Sequence, residues 1–233
     1  MIRAQTAMEL RLTLRRGESL LLTLAIPLGL LLFFGNVDVA GASVAFLVPG
    51  IVALAVMSTA MTGLAIATGF ERQYGVLKRL GASPLPRSGL LAAKTLSVAA
   101  VEALQVALIC VLGRVLGWHP HGSVLAAVAL VVVGTAAFAG LGLLMAGALR
   151  AEATLAAANG LYLVLLLVSG MVVPLGKLPA PLRTVARALP SGALAEGLRG
   201  ALSGPGALLK PLLVLVAWAV VALGAAAATF RWE

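Results

Sequence analysis

Six apolar runs alternate with short polar breaks along the 233 residues. A hydrocarbon core of about 30 Å, crossed at about 1.5 Å per residue, takes about 20 apolar residues in a helix. By that measure the runs predict spans at Leu20–Phe34, Ala42–Phe70, Ser88–Gly113, Ser123–Leu149, Ala153–Val173 and Lys210–Phe230. The first is short, so Ser19 or the turn at Gly35–Ala40 must complete it, and Pro27 is expected to kink it. The second is long, and Pro49-Gly50 predicts a bend or a partly looped start. Its Ser58, Thr59, Thr62, Gly63 and Thr68 are small residues suited to close helix packing in lipid.

The breaks differ in character. Residues 1–18 place Met8 and Leu12 on one helical face and Arg11 and Arg15 on another, which predicts a helix lying in the headgroup region. A signal peptide also starts basic, but the apolar run continues to Phe34 with no A-x-A site before a polar start. The longest break between the early spans, 71–87, carries Glu71, Arg72, Lys78, Arg79 and Arg87 and ends in Ser83-Pro84-Leu85-Pro86. It predicts a short helix begun by Glu71 and Arg72, with Val76, Leu77 and Leu80 as an apolar face and Gly81 and Pro84 as its stop. A second long connection, 174–209, holds five prolines, among them Pro174, Pro179 and Pro190.

Composition fits this pattern. The chain is 61% hydrophobic and 11% charged, with mean hydropathy +1.09, far from a soluble domain. The expectation is an all-α integral membrane protein forming one domain over 1–233. Net charge is +9. No basic, aromatic-interleaved soluble face accompanies that charge, so it points to membrane lipid headgroups and not to nucleic acid. Six spans put both termini on one side. Assigning that side to the cytoplasm places eleven Lys and Arg inside, Lys94 among them, and six outside, which the positive-inside bias favours. Cys110 is the single cysteine, so no internal disulfide or cysteine metal site is available.

A few polar residues stand inside or beside the spans. Glu102 and Gln105 share a face of the third span, and an intramembrane carboxylate is a functional candidate by default. Glu102 could meet a cationic substrate, carry a proton, pair with a basic residue such as Arg114, or lie protonated at a subunit interface. Asn159 suits a helix–helix hydrogen bond. Trp118-His119-Pro120-His121 reads as a solvated loop, since no acid stands near the two histidines. Glu196 and Arg199, three apart, read as a mutual or interfacial pair. No span pairs a serine nucleophile with an intramembrane histidine, which argues against an intramembrane enzyme. A proton-coupled carrier using Glu102 is one function this carboxylate would allow.

The stretch Glu71-Arg72-x-Tyr74-Gly75-Val76-Leu77-Lys78-Arg79-Leu80-x-Ala82-x-Pro84-Leu85 resembles the permease subunits of type-2 ABC exporters, the group that includes daunorubicin-resistance-type drug and lipid exporters. Val76 stands where that family commonly has Thr, and Lys94 looks like its basic residue at the start of the third span. A second match is Pro174, Leu178-Pro179, Arg183, Leu189-Pro190 and Glu196-Gly197-Leu198-Arg199, with Ser191-Gly192-Ala193 replacing a more aromatic stretch.

The resemblance implies six membrane helices, an N-terminal interfacial helix, a cytoplasmic coupling helix after span two and half-inserted outer helices before span six. It implies that Glu71, Arg72, Tyr74, Gly75, Leu77, Lys78, Arg79, Leu80 and Pro84 dock an ATPase. Pro174, Pro179, Pro190, Glu196 and Arg199 would then form an outer gate, and Glu102, Gln105 and Asn159 would lie on a path or interface. The implied partners are two ABC ATPase subunits and a second permease, identical or homologous, in a bacterial inner membrane. No GxxxxGK[ST] occurs in the sequence, so ATP and Mg are expected on the partner ATPase, with no cofactor on this chain. The substrate would leave outward along spans one, two and five, and the apolar lining suggests an amphipathic drug or lipid.

Overall fold

The computed structural model describes residues 6, 8, 17–36, 43–76, 87–172, 174–204 and 206–229. They are mostly helical, with no strand among the described residues. In chain order the helices are α1 (Gly17–Asn36), α2 (Val44–Gln73), α3 (Arg87–Val115), α4 (Val124–Ala148), α5 (Ala151–Val168), α6 (Ala180–Ala188), α7 (Pro190–Ser203) and α8 (Leu209–Thr229). Five contain stretches long and apolar enough to cross a membrane, within α2, α3, α4, α5 and α8, and Leu24–Asn36 of α1 adds a shorter apolar stretch. The protein is an all-α integral membrane protein. Of the interfacial helix expected over 1–18, only Thr6, Met8 and the two residues opening α1 fall among the described residues.

The centre of the bundle is α2. It touches α1, α3, α4, α5 and α7, and every residue from Leu47 to Met57 is buried. A helix apolar on all sides needs such enclosure. Ser43 caps its start by accepting the Phe46 N–H at 3.3 Å, as Ser123 caps α4 by accepting that of Ala126 at 3.2 Å. Midway, Met57–Gly63 widens into a π-helical segment before α-geometry resumes at Leu64–Gln73.

The start of α2 is not looped at Pro49-Gly50: the helix runs through both residues. Gly50 serves contact instead. A Cβ there would lie 2.0 Å from the Met171 carbonyl oxygen and 2.8 Å from a guanidinium nitrogen of Arg199. At the other end α2 runs three residues past the predicted limit, to Gln73. Conversely α5 stops at Val168 and not at Val173, because Gly170 takes φ +70 and the Ser169 hydroxyl donates to the Leu166 carbonyl at 2.9 Å.

Apolar side chains gain little from meeting each other instead of lipid, so helix contact here depends on close backbone approach. Two glycines of α4 show it on opposite faces. A Cβ on Gly142 would fall 2.6 Å from the Met61 carbonyl oxygen of the π segment, and one on Gly140 2.9 Å from the Ala222 Cβ of α8. The burial pattern of α8 agrees: Leu215, Ala219, Ala222 and Ala226 form one buried stripe. The connection 174–209 folds into a 3-10 turn at Leu175–Lys177, then α6 and α7. The second of these is held inside the bundle against α2, α4 and α8.

Candidate functional site

The last turn of α2 bonds three other helices with three successive side chains. The Glu71 carboxylate accepts from the ammonium of Lys94 on α3, which is 1% exposed. The two terminal nitrogens of Arg72 donate to the carbonyls of Gly147 and Leu149, each at 2.6 Å, at the C-terminal end of α4. The Gln73 amide donates to a carboxylate oxygen of Glu152 in the first turn of α5 at 2.8 Å. Thr154 of α5 packs where a Cβ on Gly69 would come to 3.4 Å, so α2 and α5 meet closely beside this turn.

Each contact has a local cause. The final carbonyls of a helix lack intrahelical donors and sit at the negative end of its dipole, so a guanidinium is a favourable partner there. A lysine inside a span needs a counter-charge, and Glu71 provides it. Gly75 then ends the helix: it takes φ +68, and its N–H reaches the Arg72 carbonyl at 3.0 Å. Tyr74, 70% exposed, stacks on Phe70 with ring centres 6.2 Å apart.

This geometry corrects two expectations. Glu71 and Arg72 close α2; they do not begin a separate helix. Lys94 is not a headgroup cation but a buried partner of Glu71, so it does not belong in a count of interfacial charge. Leu77, Lys78, Arg79, Leu80 and Pro84 lie outside the described residues.

A groove of about 190 Å3 is lined by Ile26 and Pro27 of α1, Leu54, Ser58 and Thr62 of α2, and Asn159 and Tyr162 of α5. Ser58 and Thr62 come from the π segment, and π-helical turns recur at functional sites. Asn159 faces the groove but makes no helix–helix bond through its amide nitrogen. That nitrogen donates to the Leu155 carbonyl of its own helix at 3.0 Å.

Glu102 and Gln105 lie elsewhere, buried within the protomer. Glu102 accepts from the Thr135 hydroxyl of α4, and Gln105 accepts from the Thr59 hydroxyl of the π segment at 3.0 Å. Neither the expected pairing of Glu102 with Arg114 nor a place at a subunit interface is found: Arg114 is exposed, and Glu102 is 2% exposed inside the bundle.

At the opposite end Arg199 of α7 is the organising residue. Its guanidinium lies 3.6 Å from the ring centre of Phe46, and it donates to the carbonyls of Phe46 at 3.3 Å and of Gly170 and Met171 at 2.8 Å. Burial draws it down to about 10 against the opposing pull of nearby Glu196, so it stays charged at neutral pH. Glu196 forms its ion pair with Arg187 at 3.1 Å, so of the mutual or interfacial pairing expected for Glu196 and Arg199 the mutual ion pair is not found. Pro174, Pro179 and Pro190 each stand at the start of a short helical element, where a missing N–H costs nothing. The Trp118–Gly122 loop docks its backbone here: the N–H groups of His121 and Gly122 donate to the Leu202 carbonyl, and that of Ser123 to Ala201.

Sequence reasoning missed the partners more than the sites. Phe46, Thr59, Thr135, Arg187 and Glu152 carry no local signal for these pairings, which join residues up to 153 positions apart. Among curated proteins nothing matches the chain. A family profile described as ABC-2 type transporter matches residues 2–203. That stretch takes in the α2 turn, the groove and all of α7, and the chain belongs to the ABC-2 type transporter family, as a permease component.

Proposed function

We propose that this chain is the permease half of an ATP-driven exporter, and that the turn Glu71–Gln73 carries motion from a separate ATPase into the bundle. The observation that carries the proposal is the three-way bonding of that turn, to Lys94 of α3, to the last carbonyls of α4 and to Glu152 of α5. The segment 77–86 follows directly, with Leu77, Lys78, Arg79, Leu80 and Pro84 as its ATPase-docking residues. Force applied there would reach four helices through side chains held at hydrogen-bond distance, with no slack in between. ATP and Mg would be held by the partner, two copies of which would serve a pair of permeases. In this reading the turn faces the cytoplasm of a bacterial inner membrane, together with both termini.

The groove between α1, α2 and α5 is the proposed start of the substrate path. Its lining combines apolar Ile26, Pro27 and Leu54 with the polar groups of Ser58, Thr62, Asn159 and Tyr162, which suits an amphipathic drug or lipid-like cargo moving outward. The Arg199 cluster with Pro174, Pro179, Pro190 and Glu196 would form the gate at the far end. A proton-coupled carrier using Glu102 is disfavoured, because Glu102 and Gln105 bond to neighbouring helices of the same chain and neither lines the groove.

Co-expression with candidate ATPases tests the reading. The expected result is a stable complex whose ATP hydrolysis is stimulated by cargo and uncoupled by Arg79→Ala. Transport by the purified chain alone under an imposed pH gradient would sink it.

A further inference from the structure

A cleft of about 950 Å3 opens between α6, α7 and the start of α8. Four cations line it, Arg183 and Arg187 of α6, Arg199 of α7 and Lys210 of α8, against the single carboxylate of Glu196. That carboxylate is already paired to Arg187, and Arg199 is engaged with backbone carbonyls and Phe46. Arg183 donates to the Leu178 carbonyl at 3.2 Å through one terminal nitrogen, while its Nε is buried with no hydrogen-bond partner. Lys210 is exposed and makes no ion pair among the described residues. A concave wall bearing this excess of one sign focuses its field on an anion.

Size and surroundings narrow the anion. An inorganic ion would fill a small part of such a volume, which is in the range of sites for whole organic ligands. Much of the remaining lining is apolar, including Leu175, Pro211, Leu213 and Val214. Below the cleft, exposed Leu213, Val216 and Val220 continue along one stripe of α8. The level is also marked. On α6 the exposed Leu182 and Val185 lie on the face away from Arg183 and Arg187, the pattern of a helix lying at a membrane interface. The indole N–H of Trp218 donates to the Ala188 carbonyl at 2.9 Å, which ties that helix to α8.

We propose that this cleft binds an anionic phospholipid, with its phosphate on Lys210, Arg183 and Arg187 and an acyl chain laid along Leu213 and Val216. A free phosphate offers the same headgroup chemistry without the tail. The cleft shares Arg199 and Glu196 with the proposed far-end gate, while the phosphate contacts at Lys210, Arg183 and Arg187 do not depend on the ATPase.

Native mass spectrometry of the delipidated, detergent-purified protein tests the proposal, titrated with phosphatidylglycerol, phosphatidylcholine and inorganic phosphate. Phosphatidylglycerol is expected to bind at least about tenfold more tightly than phosphatidylcholine, and Lys210→Gln to weaken it about fivefold while leaving phosphatidylcholine unchanged. Lys210→Arg should retain binding. Lys210 is exposed at a helix start, so its variants keep the fold, and Arg183→Gln adds a second loss of similar size. Equal affinity for the two lipids, or no effect of Lys210→Gln, overturns the proposal. Displacement of phosphatidylglycerol by equimolar inorganic phosphate overturns the assignment to a lipid.

Discussion

The Glu71–Lys94 pair allows two roles for Glu71 to be separated. Lys94 is almost fully buried, while the Glu71 side chain keeps 15% of its surface exposed. Glu71→Gln removes the counter-charge from a buried ammonium, a change that costs about 3–5 kcal/mol for a fully buried pair, and about 3 kcal/mol here because Glu71 sits at the rim. Lys94→Met leaves a carboxylate that still reaches water, so its cost is smaller, about 1–2 kcal/mol. The double variant replaces the pair by uncharged groups of similar volume and should lose no more than about 1 kcal/mol. The interaction energy from the cycle is therefore about 3–4 kcal/mol, well above the ~0.5 kcal/mol expected of independent sites.

Thermal unfolding of the purified protein at one fixed scan rate reads this directly. For a chain of this size about 1 kcal/mol moves Tm by roughly 2–4 °C, so Glu71→Gln should fall by about 6–12 °C and the double variant by only a few. The same variants, co-expressed with the ATPase, distinguish the roles. If Glu71 acts by holding Lys94, the double variant regains complex formation and coupled hydrolysis. If Glu71 touches the ATPase, the double variant stays as defective as Glu71→Gln. Additive losses of Tm would refute the ion pair as the source of stability at this turn.

Four further outcomes follow from contacts elsewhere. Gly142→Ala should destabilise the protein, since its Cβ would enter the Met61 carbonyl, whereas Gly160→Ala, with nothing within 4 Å, should gain about 0.5–1 kcal/mol; paired Tm measurements check the opposite signs. Gly75→Ala places a side chain at φ +68 and should cost about 1 kcal/mol, with Gly75→Asn milder, read by the same melting assay. Arg199→Lys should lose about 2 kcal/mol, because an ammonium cannot both stack on Phe46 and serve three carbonyls; a melt close to wild type would contradict this. Thr135→Val removes the donor to Glu102 and should cost about 1–3 kcal/mol, with Thr135→Ser retaining most of it, measured by thermal unfolding.

The spans were legible in the sequence because hydropathy and helix length are one-dimensional quantities. The predicted Ser123–Leu149 and Lys210–Phe230 differ from α4 and α8 by a single residue at each end. Errors came where a residue's local meaning was overridden by a distant neighbour. Pro49-Gly50 reads as a breaker, yet Gly50 is small because the Met171 carbonyl and Arg199 press on it. Glu196 and Arg199 read as partners at helical spacing, yet Arg187 from the preceding helix takes the carboxylate and Phe46 takes the guanidinium. The π segment carried no signal beyond a cluster of small polar residues.

The polar side chains of this bundle divide by what they touch, and the division bears on mechanism. Arg72, Arg199 and Thr154 reach backbone carbonyls near helix ends, where lipid supplies no donors and each unmet group is costly. Glu102, Gln105, Thr59 and Thr135 meet one another across α2, α3 and α4 at span depth. The first set fixes the two ends of α2: Arg72 against α4, and Arg199 against the Phe46 carbonyl. The second set bonds α2 at Thr59, inside its π segment. The π segment thus lies between two anchored ends and is tied across to α3 at Thr59. Ser58 and Thr62 line the groove from that same segment, so a side-chain change at either alters the groove while the end contacts of α2 stay in place.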